Sequence, residues 1–154
     1  MAKLKFQIVT PERTVLHEEV DSLSCPTQNG QITILPNHIP LISALQSGEL
    51  TARMGDRNEH IAVSGGFVEV RPGNQIIVLA DSAERADEID PTRAEDARKA
   101  AEEAMKGEVS RSSEEFATIA AALQKNLVRL KVSKRSTRTH KHHNQIDVNE
   151  NNNN

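Results

Sequence analysis

The sequence predicts an N-terminal antiparallel β-sandwich or barrel, then an antiparallel two-helix hairpin and a polar tail. Six of the seven glycines and five of the six prolines occur at or before Gly73, and both residue types punctuate β structure. The segment from Ala83 to Ala122 is rich in Ala, Glu, Arg and Lys, which favour helix. The composition changes at Asp90-Pro91. We therefore expect a β-sandwich domain at 1–85, a helical hairpin at 88–132 and a disordered basic, Asn-rich tail at 133–154.

Short apolar runs bounded by turn residues make up the predicted β module. Leu4 to Ile8 alternate with polar residues, which is typical of a half-buried strand. Asn29-Gly30 is a tight-turn signal, and Pro36 and Pro40 exclude regular structure between them because each lacks a backbone donor. About eight or nine strands, spaced roughly ten residues apart, are typical of a compact antiparallel sandwich or barrel. The other expected strands are 15–23, 32–35, 41–45, 50–54, 61–63, 67–70 and 76–80.

Local capping signals set the predicted helix starts. Asp90 is a favourable N-cap, and Pro91 suits the first helical turn. Ser112 and Glu115 form a capping box for the second helix. The first helix is lined mainly by alanine, and each buried alanine methyl contributes only about 0.8 kcal/mol, so we expect a hairpin that detaches easily. The predicted apolar face of the second helix is Phe116, Ile119, Ala120, Leu123, Leu127 and Leu130.

Composition excludes several classes of protein. Aromatic residues make up 2% of the chain and the net charge is -3, which argues against a nucleic-acid-binding surface. The N-terminus has no signal-peptide pattern, and no segment approaches the ~20 apolar residues of a membrane span. We therefore expect no direct membrane insertion. Cys25 is the only cysteine, which excludes an internal disulfide, and it is expected to be a small buried residue.

Motifs for catalysis and metal binding are missing from the sequence. There is no phosphate-binding loop, and Gly65-Gly66 lies between strands, so it reads as a turn. His140, His142 and His143 could bind a metal only loosely in a polar tail, and we predict no metal site. No nucleophile has a recognisable base near it, so the chain is not expected to be an enzyme. His38, on the double-proline loop, is either a contact residue or an ordinary loop residue.

Three motifs in order resemble the epsilon subunit of F-type rotary ATP synthases. They are Gly30–Leu41 (GQITILPNHIPL), Ser64–Val70 (SGGFVEV) and Val78–Asp81 (VLAD), and the similarity extends from about residue 3 to 132. The resemblance implies a flattened sandwich on the central stalk, in contact with the gamma subunit and the c-subunit ring. It implies a non-catalytic subunit that helps couple proton or other ion flow to ATP synthesis. The implied location is peripheral, on the cytoplasmic face of a bacterial plasma membrane or the equivalent stromal face of a thylakoid.

The resemblance also gives the hairpin a role. In this family it folds down on the sandwich or extends along gamma, where the extended arm reaches the alpha and beta catalytic subunits and blocks ATP hydrolysis. Acidic surfaces of those subunits would then be contacted by basic residues of the arm, which are Lys125, Arg129 and Lys131, with Lys134 and Arg135. The alternative is that these residues form a solvated face. The resemblance places Gln31 and His38 on the face toward the c ring and gamma. For Gln31 an ordinary strand position is the alternative.

A regulatory ATP is the one cofactor that the resemblance raises. Ile89–Ala94 (IDPTRA) matches an ATP-binding motif of some bacterial members. Ala100 stands where a basic residue is expected and Lys125 where arginine is typical; alanine cannot make the two-pronged contact of a guanidinium with phosphate, and lysine makes it less well. These departures count against ATP, and Asp90 is also explained as a helix cap. The alternative function is a free-standing ATP-sensing module. The nucleotide-binding candidates are Glu84, Asp90, Arg93 and Arg129.

Overall fold

The computed structural model describes the backbone of residues 2–107 and 112–147. Within these ranges, side chains are described as far as Arg135. A short 3-10 turn, Ala86–Glu88, separates the described strands from two helices, α1 (Pro91–Lys106) and α2 (Ser113–Asp147). The predicted fold class, a β-sandwich followed by two helices, is confirmed. The strands are β1 (Leu4–Val9), β2 (Thr14–Val20), β3 (Ser22–Thr27), β4 (Gly30–Ile34), β5 (Leu41–Ala44), β6 (Gly48–Met54), β7 (Arg57–Arg71) and β8 (Gln75–Arg85).

The strands form one continuous hydrogen-bonded path in the order β2-β1-β8-β7-β6-β3-β4, with β5 beside β7. Most neighbours are antiparallel, as predicted. The pair β1–β8 is parallel instead, with Lys5 opposite Gln75 and Val9 opposite Leu79. The first and last strands of the module therefore lie side by side. Sequence patterns did not indicate this pair because its two strands are far apart in the chain.

The long strand β7 corrects the prediction of two short strands divided at Gly65-Gly66. Before the glycines it pairs with β6, and after them it pairs with β5, while β8 pairs with it on both sides of the glycines, from Ile61 to Arg71. Gly65 and Gly66 have φ angles of 72° and 108°, which glycine adopts at little steric cost. The glycines therefore lie where β7 changes its partner from β6 to β5, and its register with β8 does not change there.

A break at Asp21 also corrects the prediction of one strand over 15–23. The Asp21 carboxylate accepts a hydrogen bond from the backbone N–H of Gly55 at 2.6 Å and pairs with Lys3. These two contacts hold the pKa of Asp21 below its usual value. The break lets β2 pair with β1, while β3 pairs with β4 and β6.

The core of the sandwich is aliphatic, with Phe6 as its one aromatic side chain among the described residues. Cys25 is fully buried in β3, and burial raises the pKa of its thiol to about 12. It is thus an inert core residue, as predicted. Other fully buried side chains are Leu4, Ile8, Val20, Leu23, Ile34, Leu50, Ile61, Val63, Val68, Ile76 and Val78.

Both predicted helix starts are confirmed. The Asp90 side chain accepts from the backbone N–H of Thr92 at 3.0 Å and of Arg93 at 3.4 Å. At α2 the hydroxyl of Ser112 accepts from the backbone N–H of Glu115 at 3.2 Å. The Glu115 carboxylate in turn accepts from the backbone N–H of Ser112 at 3.3 Å. These local bonds satisfy N–H groups that have no partner inside the helix.

The predicted apolar face of α2 is only partly buried. Phe116 is 51% exposed and Leu127 is 44% exposed, whereas Val128 and Val132 are buried. The reason is that α2 packs against two neighbours, α1 and the sandwich, so its buried surface is not one straight stripe. Helical periodicity indicated that an apolar face exists but not which partners cover it.

The helix does not end at Val132, where the polar tail was predicted to begin, because α2 extends to Asp147. Ser133 is buried and its hydroxyl donates to the carbonyl of Leu130 at 2.8 Å. The positions immediately after 132 therefore belong to the folded hairpin. The side chains of the three tail histidines and the run Asn149–Asn154 lie outside the described residues.

Candidate functional site

A small apolar cluster joins the hairpin to the sandwich. It consists of Ala62 on β7, Ile89 before α1, Ala94 on α1, and Val128 and Val132 on α2. These side chains are small or of medium size, so they remove little apolar area from water and give a modest docking energy. Polar contacts around the cluster add to the docking of the hairpin.

The first of these contacts is an ion pair between Glu84 on β8 and Arg129 on α2. Arg129 Nε donates to Oε2 of Glu84 at 2.6 Å, and Nη2 donates to Oε1 at 3.3 Å. Its third nitrogen, Nη1, donates to the amide oxygen of Asn126 at 2.9 Å. Asn126 is buried and donates in turn to the carbonyl of Ala122 at 2.8 Å. The guanidinium of Arg129 is thus fully engaged within the protein.

Two clefts lie beside Glu84. The narrower one, which Glu84, Lys125 and Arg129 help to line, has no room for a water molecule. The wider one has a volume of about 260 Å³, and its charged lining mixes the acidic side chains of Glu12 and Asp81 with basic ones. A phosphate site needs converging donors and little competing negative charge. Neither cleft has that character.

The structure separates the four nucleotide candidates. It brings Glu84 and Arg129 together, whereas neither cleft beside them is lined by Asp90 or Arg93. Asp90 is occupied as the cap of α1, and the side chain of Arg93 is exposed. With alanine at position 100, this arrangement does not fit a bound ATP.

We expect Asp90→Ala to lower the free energy of unfolding by about 1 kcal/mol, because two backbone donors lose their acceptor. Asp90→Ser keeps a capping oxygen and is the matched control, with a loss of only a few tenths of a kcal/mol, about the spread among good caps. Urea unfolding of the full chain, followed by circular dichroism, measures both. Equal loss in the two variants would contradict the capping role.

The segment before α1 is held by a bidentate ion pair that the sequence analysis did not predict. Arg13 in the β1–β2 turn donates to both carboxylate oxygens of Glu88, at 2.9 and 2.6 Å, and the backbone N–H of Arg85 donates to Glu88 at 3.0 Å. The Arg13 guanidinium holds the pKa of Glu88 below its usual value. The pair therefore contributes fully above the ordinary glutamate pKa and is lost only as pH falls through the lowered value.

A second candidate surface is an apolar row on the outside of the sheet. Ala44, Phe67, Leu79 and Val9 lie opposite one another across β5, β7, β8 and β1. Phe67 is 57% exposed and Leu79 is 56% exposed. Ile42 on β5, two positions before Ala44, is also exposed. Contiguous exposed apolar side chains of this size commonly mark a protein–protein contact. We call this surface the apolar row.

The double-proline loop adds an exposed apolar edge. Leu35 and Ile39 are both exposed, and Asn37 adopts a left-handed φ of 67° that its N–H bond to Asn74 Oδ1 supports. His38 is half-buried, and its Nδ1 donates to the carbonyl of Ile39 at 2.6 Å. The groove between this loop and the β7–β8 turn has a volume of about 400 Å³ and is lined by Pro40, Leu41, Ile42, Glu69, Val70, Arg71 and Pro72.

Gln31 and Lys131 have exposed positions. Gln31 lies on β4, the last strand of the sheet path, opposite Pro26 of β3. The ring of His38 bonds to the carbonyl of Ile39 and not to Gln31. Lys131 lies on the solvent side of α2. Their predicted contacts with partner subunits stay predictions.

No group of three or more His, Cys, Asp or Glu residues in the described part of the chain could hold a metal ion. No helix in the described ranges 2–107 and 112–147 has the length and apolar character needed to cross a membrane.

Comparisons with known proteins cover most of the chain. Residues 3–86 match the family model "ATP synthase, Delta/Epsilon chain, beta-sandwich domain", and residues 87–134 match "ATP synthase, Delta/Epsilon chain, long alpha-helix domain". The ATP synthase epsilon chain of Dehalococcoides mccartyi is 50% identical over 140 residues, covering 88% of this chain and 95% of its own length. That of Herpetosiphon aurantiacus is 50% identical over 131 residues, covering 85% and 94%. A chain in a solved structure of the Euglena gracilis mitochondrial ATP synthase has the same fold, with a TM-score of 0.72 at 20% identity over 85% of this chain and 81% of its own.

Proposed function

This chain belongs to the epsilon chain family of ATP synthase, and we propose that it acts there in two ways, through its sandwich and through its hairpin. It is a non-catalytic subunit of that complex. The sandwich seats the chain on the rotor, and the hairpin restrains ATP hydrolysis. The observation that carries this proposal is the combination of an exposed apolar row on the sandwich with a hairpin held by few apolar contacts.

The apolar row is the surface that we assign to the gamma subunit. A partner that covered this row would remove the exposed apolar area of Phe67 and Leu79 from water, which favours binding. Aromatic side chains such as Phe67 commonly anchor interfaces. The exposed double-proline loop, with Ile39 and His38, is the part that we assign to the c ring. The two contacts together would hold the sandwich on the rotor.

The hairpin is the part that we assign to the alpha and beta catalytic subunits. In the folded form Arg129 is paired with Glu84, and Lys125 lines the same narrow cleft as Glu84. Release of α2 would free these cations for acidic surfaces, together with the exposed Lys131. Arg129 would therefore be paired with Glu84 in the folded hairpin and with an acidic group of a catalytic subunit after release.

The complex is membrane-associated, and we place this chain on its cytoplasmic side. That side is where a bacterial ATP synthase carries its catalytic subunits. A chain seated on the central stalk must lie on the same side in order to reach them.

Removal of residues 88–154 from this chain in the purified ATP synthase tests the inhibitory role. We expect ATP hydrolysis to rise several-fold, while ATP-driven proton pumping is retained because the sandwich still occupies the rotor. Enzyme with the full chain, prepared in parallel, is the control. Unchanged hydrolysis would contradict inhibition by the hairpin, and loss of pumping would contradict a sandwich that couples independently.

The alternative, a free-standing ATP-sensing module, gains no support from the engaged guanidinium of Arg129 or from the capping role of Asp90. Calorimetric titration of the isolated chain with ATP separates the two functions. We expect no heat of binding at millimolar ATP, and a saturable signal would revive the alternative.

A further inference from the structure

The far end of the hairpin makes a second ionic contact with the sandwich. Arg135 on α2 donates from Nε to Oε2 of Glu49 on β6 at 3.2 Å, and from Nη2 to Oε1 at 3.2 Å. Nδ1 of His60 lies 3.5 Å from Oε1 of the same carboxylate and 3.4 Å from the hydroxyl of Thr51. His60 is half-buried in this cluster.

We propose that Glu49 and Arg135 form a reversible ionic latch that holds the end of the hairpin against the sandwich. Residues 87–134 match the family's helical domain, so Arg135 lies just outside the matched segment. No capping or periodicity signal pointed to this contact, because Glu49 and Arg135 are 86 positions apart.

The position of the latch makes it effective. Arg129 and Arg135 are six residues apart on α2, which is about 9 Å along a helix. Val132, fully buried, lies between them. One ion pair would let the helix pivot about its contact point, whereas pairs on both sides of Val132 fix its direction. The latch therefore completes the docking that the Glu84–Arg129 pair begins.

The chemistry of Glu49 makes the latch reversible. Its side chain is only 13% exposed while Arg135 covers it. When α2 leaves, water replaces the guanidinium around the carboxylate, so the released state leaves no buried, unpaired charge. A pair with one partly exposed member is also weakened by salt, since ionic screening shortens the reach of charge interactions to ~3 Å at 1 M.

The physiological meaning of the latch rests on the proposed function, because only a hairpin that is released can inhibit. The latch itself is tested on the isolated full-length chain, without other subunits. A negative result in the latch test would not contradict inhibition by the hairpin, which the hydrolysis experiment on the truncated complex measures. Likewise, unchanged hydrolysis would not contradict the latch.

Hydrogen exchange of the α2 amides over residues 126–135, at low salt, is the primary measurement. We expect Arg135→Gln to speed exchange by about threefold to fivefold, the upper part of the range for loss of a partly exposed ion pair. Lys131→Gln, which removes the same charge from the exposed side of the same helix, is the matched control and should change exchange by less than about twofold. Equal exchange in the two variants would overturn the latch.

Charge reversal separates pairing from general damage to the helix. Glu49→Lys and Arg135→Glu should each speed exchange, and the double variant should return it toward the parent value because the pair is re-formed with opposite signs. Raising salt to 1 M should speed exchange more in the parent chain than in Arg135→Gln. A double variant worse than both single ones, or an equal salt response, would overturn the latch.

Discussion

Gly66→Ala is expected to destabilise the sandwich by about 3–5 kcal/mol, the range of the most damaging single substitutions. A Cβ on Gly66 would overlap the carbonyl oxygen of Leu79 and come within 2.8 Å of the Cα of Ala80. Both obstacles are backbone atoms of β8, which cannot move without opening the β7–β8 pairing. The φ of 108° adds further strain for any residue with a side chain.

Gly73→Ala is the matched control for this prediction. Gly73 also has a positive φ, 80°, but an added Cβ there meets no atom within 4 Å. Gly73→Ala should lower the free energy of unfolding by about 1 kcal/mol, which is the cost of placing a residue with a side chain at a positive φ. Urea unfolding of the full chains gives both values. If the two variants lost the same stability, steric contact with β8 would not be the reason that glycine is needed at position 66.

Phe67→Asp should abolish stable binding to the gamma subunit, with a loss of affinity of about 30-fold or more, as for an anchor residue of an interface. A charge at the centre of the apolar row would have to be buried without a partner when the surface is covered. The free chain should fold normally, because the Phe67 side chain is 57% exposed on the outside of the sheet.

Phe67→Leu keeps an apolar side chain at this position and should reduce the affinity by only a few-fold. Co-purification with the gamma subunit, followed by titration of the purified pair, measures each variant, and circular dichroism checks the fold. Undiminished binding by a folded Phe67→Asp chain would move the gamma contact to another surface. The surface around Ile39 would then be the next to test.

Features that depend on neighbouring residues were predictable from the sequence. Asp90 and the Ser112–Glu115 pair cap the two helices as expected, because a capping bond spans only two or three positions. The division of β7 at Gly65-Gly66 was wrong, since a pair of glycines marks either a turn or a bend within a strand. Only the pairing with β8 distinguishes the two cases.

Features that depend on distant residues were not predictable. The pairs Arg13–Glu88 and Glu84–Arg129 each join positions at least 45 apart, and no local pattern relates them. Arg129 and Glu84 were selected as ATP ligands through the resemblance, and their mutual ion pair appears only in three dimensions. Likewise, periodicity indicated an apolar side of α2, whereas the exposure of Phe116 depends on what packs nearby.

The parallel pairing of β1 with β8 has a consequence for biosynthesis. Residues 5–9 leave the ribosome early, but their partners at 75–79 are synthesised some seventy residues later. Contacts this far apart in sequence form slowly, and domains tend to fold as units during translation. The sandwich therefore cannot close until β8 has emerged, and the helices, which follow β8 in the chain, reach a surface that is already complete. The order of synthesis thus gives the nascent chain its rotor-binding part before its regulatory arm.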